Sequence, residues 1–391
     1  MKEAESVVVG PVMSPRDKAE FLELPWRIYR HDGSWVPPIR SERFALFDRQ
    51  RNPFFRAGEA DFFLARRDGQ VVGTIAVGAD RLGNAHRRER AAFFGLFETV
   101  DDNEVARALL STAQRWAEAR GSTVLRGPSD LSSSRPGGLL VEGHETPPVI
   151  LNGHTPAYYL QLVERYGFHK WGADHLAYRV DLTPLRSDPA CLPPQIARVA
   201  GKAAQRSRAR VRAVRLADWA HEIELAREIY NRSLEALPHF VPVSREDFAR
   251  QGNALRSILD PDLVLFVEVG DRGVGFLVAL PDVNQALRHA SRLRYPWHYL
   301  KAWWHRRRID CVSLKIVAVL PDFHRTGLGA LLYFELAKRV LRKGYRWMDL
   351  SLTGEDNPQT NRLAAVVGAQ VYKRYRVYEL PLRTAGLAAS T

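Results

Sequence analysis

The stretch VAVLPDFHRTGLGALL, residues 317–332, joins an apolar run to a helical one through a turn that carries two glycines. The run before Pro321 reads as a strand. ALLYFELAKRVL, which follows Gly329, has the spacing of an amphipathic helix that ends at Gly344. A helix N-terminus exposes backbone amides that have no helical partner, and it carries partial positive charge. Glycines at that point let a phosphate approach the backbone closely. The segment His324-Arg325-Thr326-Gly327-Leu328-Gly329-Ala330 is therefore a candidate phosphate cradle, with Arg325 as a charged donor. It lacks the third glycine of the dinucleotide fingerprint and the Gly-Lys-Ser/Thr of a Walker A loop.

The surroundings of this turn occur twice. FFLARRDGQVVGTIAVGAD (62–80) and LVLFVEVGDRGVGFLVALPD (263–282) both read as strand, tight turn, strand. In each half a further strand follows, then an amphipathic helix ending at Gly121 or Gly344, another strand, a helix reaching Gly167 or Gly368, and a last strand. Gly73 and Gly167 lie 94 residues apart, Gly275 and Gly368 lie 93 apart. The second half carries roughly 21 extra residues before Gly344, an insertion at about 284–308; the first half has its own around 128–156. Between the halves, DLTPLRSDPACLPPQ has the Pro-rich, polar composition of a linker. The expected plan is a domain over 1–182, a linker over 183–205 and a second domain over 206–391.

The 391 residues suit two domains. Two cysteines, Cys191 and Cys311, make no disulfide framework and suit a reducing, cytoplasmic compartment. MKEAESVVVGPV carries early acids and no apolar run, unlike a signal peptide, and no stretch has the charge-free length of a membrane span. The net charge of +13, from 57 basic and 44 acidic residues, suits nucleic acid, anionic lipid or a phosphorylated ligand. No zinc-finger, RNA-binding or basic-zipper pattern is present, so a nucleic acid partner is not expected.

The order β–α–α–β–β–β–α–β–α–β, with a Gly-rich turn after the fourth strand, resembles the GNAT superfamily of acyl-CoA N-acyltransferases. The resemblance implies an α/β (α+β) fold of two tandem domains, each a mixed, mostly antiparallel sheet flanked by helices. It also implies coenzyme A or acyl-CoA as co-substrate, and no metal. In that family the turn reads Arg/Gln-x-x-Gly-x-Gly/Ala. Here His324 stands first, and Arg325 supplies charge one place on. The family's later Asn and Gly, eleven residues apart, match Asn357 and Gly368. Its Tyr, seven residues after the Asn and the acid for the departing thiolate, is Ala364 here. The implied cofactor contacts are Val317, Val319, Arg325, Thr326, Gly327, Leu328, Gly329, Ala330 and Asn357. The first half has TVDDNEVARALL at the matching turn, and Asp101, Asp102 and Glu104 would repel a phosphate. That half is expected to bind no coenzyme A.

Amide formation from a thioester needs a proton acceptor for the amine and a donor for the carbonyl oxygen. In WMDLSLTGED the residues Asp349, Ser351 and Thr353 give one polar face, unusual for a central strand. Glu355 and Asp356 follow, and they read either as the base or as a cap of the next helix. His324 is a second candidate base or a plain turn residue. For the acceptor, Asn152, His154, Tyr158 and Tyr159 read as a pocket wall or as core residues at a helix start. The insertion interleaves Tyr295, Trp297, Tyr299, Trp303 and Trp304 with Arg and Lys, which suits an anionic membrane surface or a helix packed by its tryptophans. NPFFRAGEADFFLA (52–65) and the tandem length are similar to a bacterial group that includes ceramide synthases, which implies a lipidic, sphingoid-type amine acceptor and a peripheral position on the inner membrane face. The alternatives are a non-catalytic acyl-CoA or lipid binder on the same scaffold and an aminoacyl-tRNA-dependent transferase.

Overall fold

The structure is a computed structural model and describes residues 6–129, 131, 137–187, 194–237, 240–289 and 296–383. Cys191 and residues 290–295 of the insertion lie outside the described residues. The first half contributes β1 (Val8–Pro11), β2 (Gly58–Arg67), β3 (Gln70–Asp80), β4 (Ala91–Thr99), β5 (Val124–Gly127), β6 (Leu139–Glu142) and β7 (His169–Asp181). The second contributes β8 (Ala209–Ala213), β9 (Val264–Val269), β10 (Arg272–Pro281), β11 (Cys311–Val319), β12 (Trp347–Gly354) and β13 (Gln370–Pro381). Helices fall between them in the expected order. The helix Asn103–Ala119 follows β4 and Leu328–Lys343 follows β11.

All the strands join one mixed sheet in the order β1-β2-β3-β4-β5-β13-β7-β12-β11-β10-β9-β8, with β6 beside β13. The sheet is continuous because the halves exchange their last strands. β13 leaves the second half to pair with β5, and β7 leaves the first to pair with β12. The two exchanged strands also pair antiparallel with each other. Both are long and alternate in sequence, so each can serve as an interior strand wherever it is placed. At their crossing Asp174, 2% exposed, accepts two hydrogen bonds of 2.9 Å from the Arg376 guanidinium. Such a fork-shaped pair fixes direction as well as register.

The helices cover the sheet and divide its core. One cluster is built on Phe266, Phe276, Leu332 and Leu336 in the second half. The first half has one on Phe94, Leu109 and Leu110 and another on Phe21, Phe47 and Phe62. Within the stretch read as linker, Pro194–Ser207 forms a helix that lies on Leu328–Lys343. Its Ala200 and Ala203 are buried there. The prolines at 193 and 194 gave that segment its loop-like composition, yet Pro is well placed at a helix's first turn, where its missing N–H costs nothing.

The exchange makes each half incomplete alone. Fragments 1–187 and 188–391, made separately, are expected to show no cooperative unfolding transition by circular dichroism and to co-elute when made together. A cooperative transition for either fragment alone would contradict this.

Candidate active site

The glycine turn begins where β11 ends. The Leu320 amide still donates to Val274 at 2.8 Å across β10. Strand alternation then turns the Val317 and Val319 amides to the opposite edge of β11. His324 folds back so that its Nε2 lies 2.8 Å from the Val319 carbonyl, and Thr326 Oγ1 donates to the Phe323 carbonyl at 2.7 Å. These side chains brace the turn from within. Gly327 has φ +84°, and a Cβ on it would lie 3.2 Å from both Val199 and Ala203 of the helix Pro194–Ser207. Glycine is needed there for the left-handed backbone and for that approach. Gly327 offers no side chain to cap the helix, so the first-turn amides of Leu328, Gly329 and Ala330 stay open. Gly329 faces open space.

The first half shows the same turn closed. Asp102 caps the helix Asn103–Ala119 by accepting from the Glu104 amide at 2.8 Å and the Val105 amide at 3.4 Å. Arg67 then pairs with Asp102 and Glu104, both at 2.7 Å. The amides that an anion would use are occupied by the chain's own carboxylate.

The strands beside each turn repeat the contrast. β11 and β12 pair in parallel from Cys311–Trp347 to Leu314–Leu350, then stop, although both strands run on. The other edge of β12 stays paired with β7, from Trp347–Asp181 to Gly354–His175. A wedge opens between β11 and β12, lined by the free β11 edge. β4 and β5 also part after Phe93–Arg126, but there the chain fills the gap. The Ser129 amide donates to Phe94 at 2.8 Å, and a Cβ on Gly95 would lie 1.7 Å from the Ser129 carbonyl oxygen.

At the apex of the open wedge sits a buried polar cluster. Lys315 is the first β11 residue past the last pair, and its side chain is 9% exposed. Its Nζ lies 3.1 Å from Asn152 Oδ1, 3.1 Å from Ser351 Oγ and 3.6 Å from Asp349 Oδ2. Asp349 is wholly buried and accepts from Ser313, from Ser351 at 2.5 Å and from Tyr372 at 2.8 Å. Asp282, at the end of β10, accepts from the Ile150 amide at 2.8 Å. Burial pushes its pKa up to about 7. Burial also drives the Lys315 pKa down, with Asp349 and Asp282 opposing. The Tyr372 hydroxyl is held protonated by burial and by the adjacent Asp349. Asn152 comes from the first half, so both halves build this apex.

The other candidates disperse. Glu355 is paired with Lys170 at 2.6 Å and Arg374 at 2.8 Å, and it accepts from the Asp174 amide at 3.0 Å. Lys170, and then that amide, hold its pKa low, which makes it a poor proton acceptor and a good tie between β12 and the exchanged strands. Asp356 is exposed beside it, and Asn357 caps the next helix by accepting from the Thr360 amide at 3.2 Å. Tyr159 is fully buried, with its hydroxyl on Glu98 and the Thr99 amide, while Tyr158 donates to the Thr99 carbonyl. His154 pairs with Asp32 at 2.7 Å. These three close the first half, and of the four pocket-wall candidates Asn152 is the one that reaches the wedge. Trp297 is exposed on the helix Pro296–Arg306. Lys315 was not singled out in the sequence; the signal was a lone cation inside the apolar run CVSLKIVAVL, opposite the polar face of β12.

The closed turn of the first half carries its own expectation. Asp102→Ala removes a helix cap and should cost about 1 kcal/mol of stability in thermal unfolding. It should leave ligand binding in the second half unchanged by calorimetry. A loss of binding would place the ligand in the first half.

Two proteins align with nearly the whole chain. Protein YghO of Escherichia coli (strain K12) is 28% identical over 380 residues, 95% of this chain and 95% of that protein. The bacterial ceramide synthase of Caulobacter vibrioides (strain NA1000 / CB15N) is 31% identical over 381 residues, 96% of this chain and 97% of that one. Among solved structures, a tandem GNAT protein from the clavulanic acid biosynthesis pathway superposes with a TM-score of 0.57 at 14% identity, over 96% of this chain and 98% of its own. A GCN5-related N-acetyltransferase from Sphaerobacter thermophilus gives 0.51 at 14% identity, with 96% of each chain covered. Likeness at that identity is likeness of fold. No family model matches the sequence. The mixed sheet, the tandem order of elements and the full-length similarity together establish that the chain belongs to the family of the bacterial ceramide synthase and has the tandem GNAT fold.

Proposed function

We propose that the protein is an acyl-CoA-dependent N-acyltransferase whose acceptor is the primary amine of an amphiphilic, sphingoid-like lipid. The observation that carries this reading is the asymmetry of the two halves. An uncapped helix start and an open wedge lie side by side in the second half, and both are closed in the first. The Leu328, Gly329 and Ala330 amides, with Arg325, would hold the pyrophosphate. The Val317 and Val319 amides at the free edge would hold the arm that leads to the thioester. Coenzyme A would supply an activated acyl carbon at the wedge. The name of the Caulobacter relative supports a lipid amine as acceptor.

The insertion supports the same class of acceptor. On the helix Pro296–Arg306, Trp297, Leu300, Trp303 and Trp304 share a face about 120° wide by helical geometry. They are 61%, 65%, 54% and 56% exposed. Lys301 and Arg306 to Arg308 flank that face. Aromatic residues bordered by cations suit the interface of an anionic membrane. The helix runs into β11 through Asp310, which Gln285 holds by two hydrogen bonds of 2.9 and 3.0 Å. Asn284 donates to the Pro148 carbonyl at 3.0 Å, beside the loop that carries Asn152. A membrane-facing helix is thus tied to the acceptor side of the wedge. Among the described residues no helix is long and apolar enough to cross a membrane. No group of three His, Cys, Asp or Glu side chains there could hold a metal ion.

Ala364, where the family has Tyr, favours one second reading, a binder that retains acyl-CoA without turnover. Thiol release from a long-chain acyl-CoA in the presence of a long-chain amine separates the two: release supports transfer, and binding without release supports the binder. Gly329→Glu should weaken acyl-CoA binding at least about tenfold by calorimetry. The fold should be undisturbed, because an acid suits a helix's first turn. Unchanged affinity would sink the cradle. Trp303→Ser with Trp304→Ser should lower co-sedimentation with phosphatidylglycerol vesicles by about tenfold or more; unchanged co-sedimentation would remove the membrane from the account.

A further inference from the structure

Lys315 is a buried lysine at the apex of the wedge, outside the glycine turn. It projects into the wedge from the first unpaired position of β11, where the thioester would lie. Two neutral acceptors, Asn152 and Ser351, fix its Nζ at 3.1 Å each. The third direction, toward Asp349 at 3.6 Å, is the least committed and can be exchanged for a substrate atom. Asp349 cannot come to meet a substrate, because two serines and Tyr372 already hold its oxygens in the interior. Asp282, at the end of β10, is tied to the Ile150 and Asn284 amides, and three further positions offer no free carrier. Ala364 has no proton to give, Tyr372 spends its hydroxyl on Asp349, and Glu355 is locked between Lys170 and Arg374.

We infer that Lys315 is the proton relay of the transfer: its Nζ takes the proton from the acceptor nitrogen and delivers it to the departing sulfur, with Asn152, Ser351 and Asp349 as its positioning residues. The inference rests on the acyl-transfer reading above. In the balanced step a C–N bond forms and the C–S bond breaks. One proton passes from nitrogen to Nζ and from Nζ to sulfur, and the lysine ends as it began. One group in the wedge thereby does the work of the separate base and acid that the transfer needs.

Burial brings the amine form of Lys315 within reach at a lower pH than for an exposed lysine. The ionisable groups that bear on it are Asp349 on β12, Asp282 at the end of β10 and Cys311 on β11; Tyr372 on β13 reaches Asp349 rather than the lysine. The carboxylates favour the ammonium and burial the amine, and burial dominates. The relay must start as the amine. Turnover therefore rises with pH through the lysine's lowered pKa.

The test uses the full chain with Lys315→Met, which keeps the buried stem, and Lys315→Arg, which keeps the charge but cannot deprotonate. Acyl-CoA affinity by calorimetry should stay within about threefold of wild type in the Met variant. Thiol release should fall roughly 100-fold or more in both variants, and the rising pH limb should vanish. Retained turnover in Lys315→Arg would show that charge alone suffices and would overturn the relay. So would retained turnover in Lys315→Met, lost affinity, or an unchanged limb. A readout independent of turnover is the wild-type protein with labelled lysine, followed by NMR. Lys373, also buried and pushed down to about 8, should give one low-titrating signal. A second low signal that disappears in Lys315→Arg supports the relay, and its absence contradicts it. Wild-type protein that binds acyl-CoA yet releases no thiol with any long-chain amine would instead sink the transfer reading, and the relay with it.

Discussion

β11 and β12 are held together by only four paired residues each, Cys311–Leu314 against Trp347–Leu350. Beyond them the two strands part, while the other edge of β12 stays paired, from Trp347 to Gly354, with β7, a strand from the other half of the chain. This parting, with β12 held from its far side, is the constraint on which the candidate site depends. A strand that parted from its neighbour with nowhere to go would leave a row of amides and carbonyls unpaired, which is costly in an interior. Because β7 holds the far edge of β12, that strand keeps its place in the sheet while its near edge and the edge of β11 face the wedge, beside the glycine turn. The strand exchange, the wedge and the cradle are parts of one arrangement. Glu355 belongs to it as well: its ion pairs with Lys170 and Arg374 pin the end of β12 to the exchanged strands.

The two halves give one arrangement two outcomes. Each places a helix start beside a diverging strand pair. In the second half the helix start has no side-chain cap and the divergence is open. In the first, Asp102 caps the helix and Ser129 fills the gap against Gly95. The first half keeps a structural share in the site. It supplies β7, which backs β12 on the edge away from the wedge, and Asn152 to the apex. The apex is thus built from residues of both halves.

The features legible in the sequence were those encoded locally. The glycine turn, the repeat of strand–turn–strand and the acids of DDNE each announce themselves within a few residues, and in the structure the turn joins β11 to its helix and Asp102 caps the helix Asn103–Ala119. Asp349 and Ser351 were visible as a polar face on a central strand, although the reason for it was not. Lys315 could not be read, since its meaning comes from Asn152, Ser351 and Asp349, which the fold collects from distant points. The exchange of β7 and β13 was equally hidden. Alternation specifies that a segment is a strand and which face is buried, but not which neighbour it pairs with. The helix at Pro194–Ser207 was masked by the prolines before it, and its value lies in a contact with Gly327 that no local pattern records. Tyr158 and Tyr159 had the look of a pocket wall because aromatic hydroxyls suit either role; burial and the hydrogen bonds to Glu98 and Thr99 place them in the first half's interior.

The most direct measurement is a structure of the protein crystallised with coenzyme A. The account predicts the pyrophosphate on the amides of Leu328 to Ala330 and the thiol between β11 and β12, beside Lys315. Coenzyme A lodged against the helix start at Asp102, or held away from the wedge altogether, would contradict it.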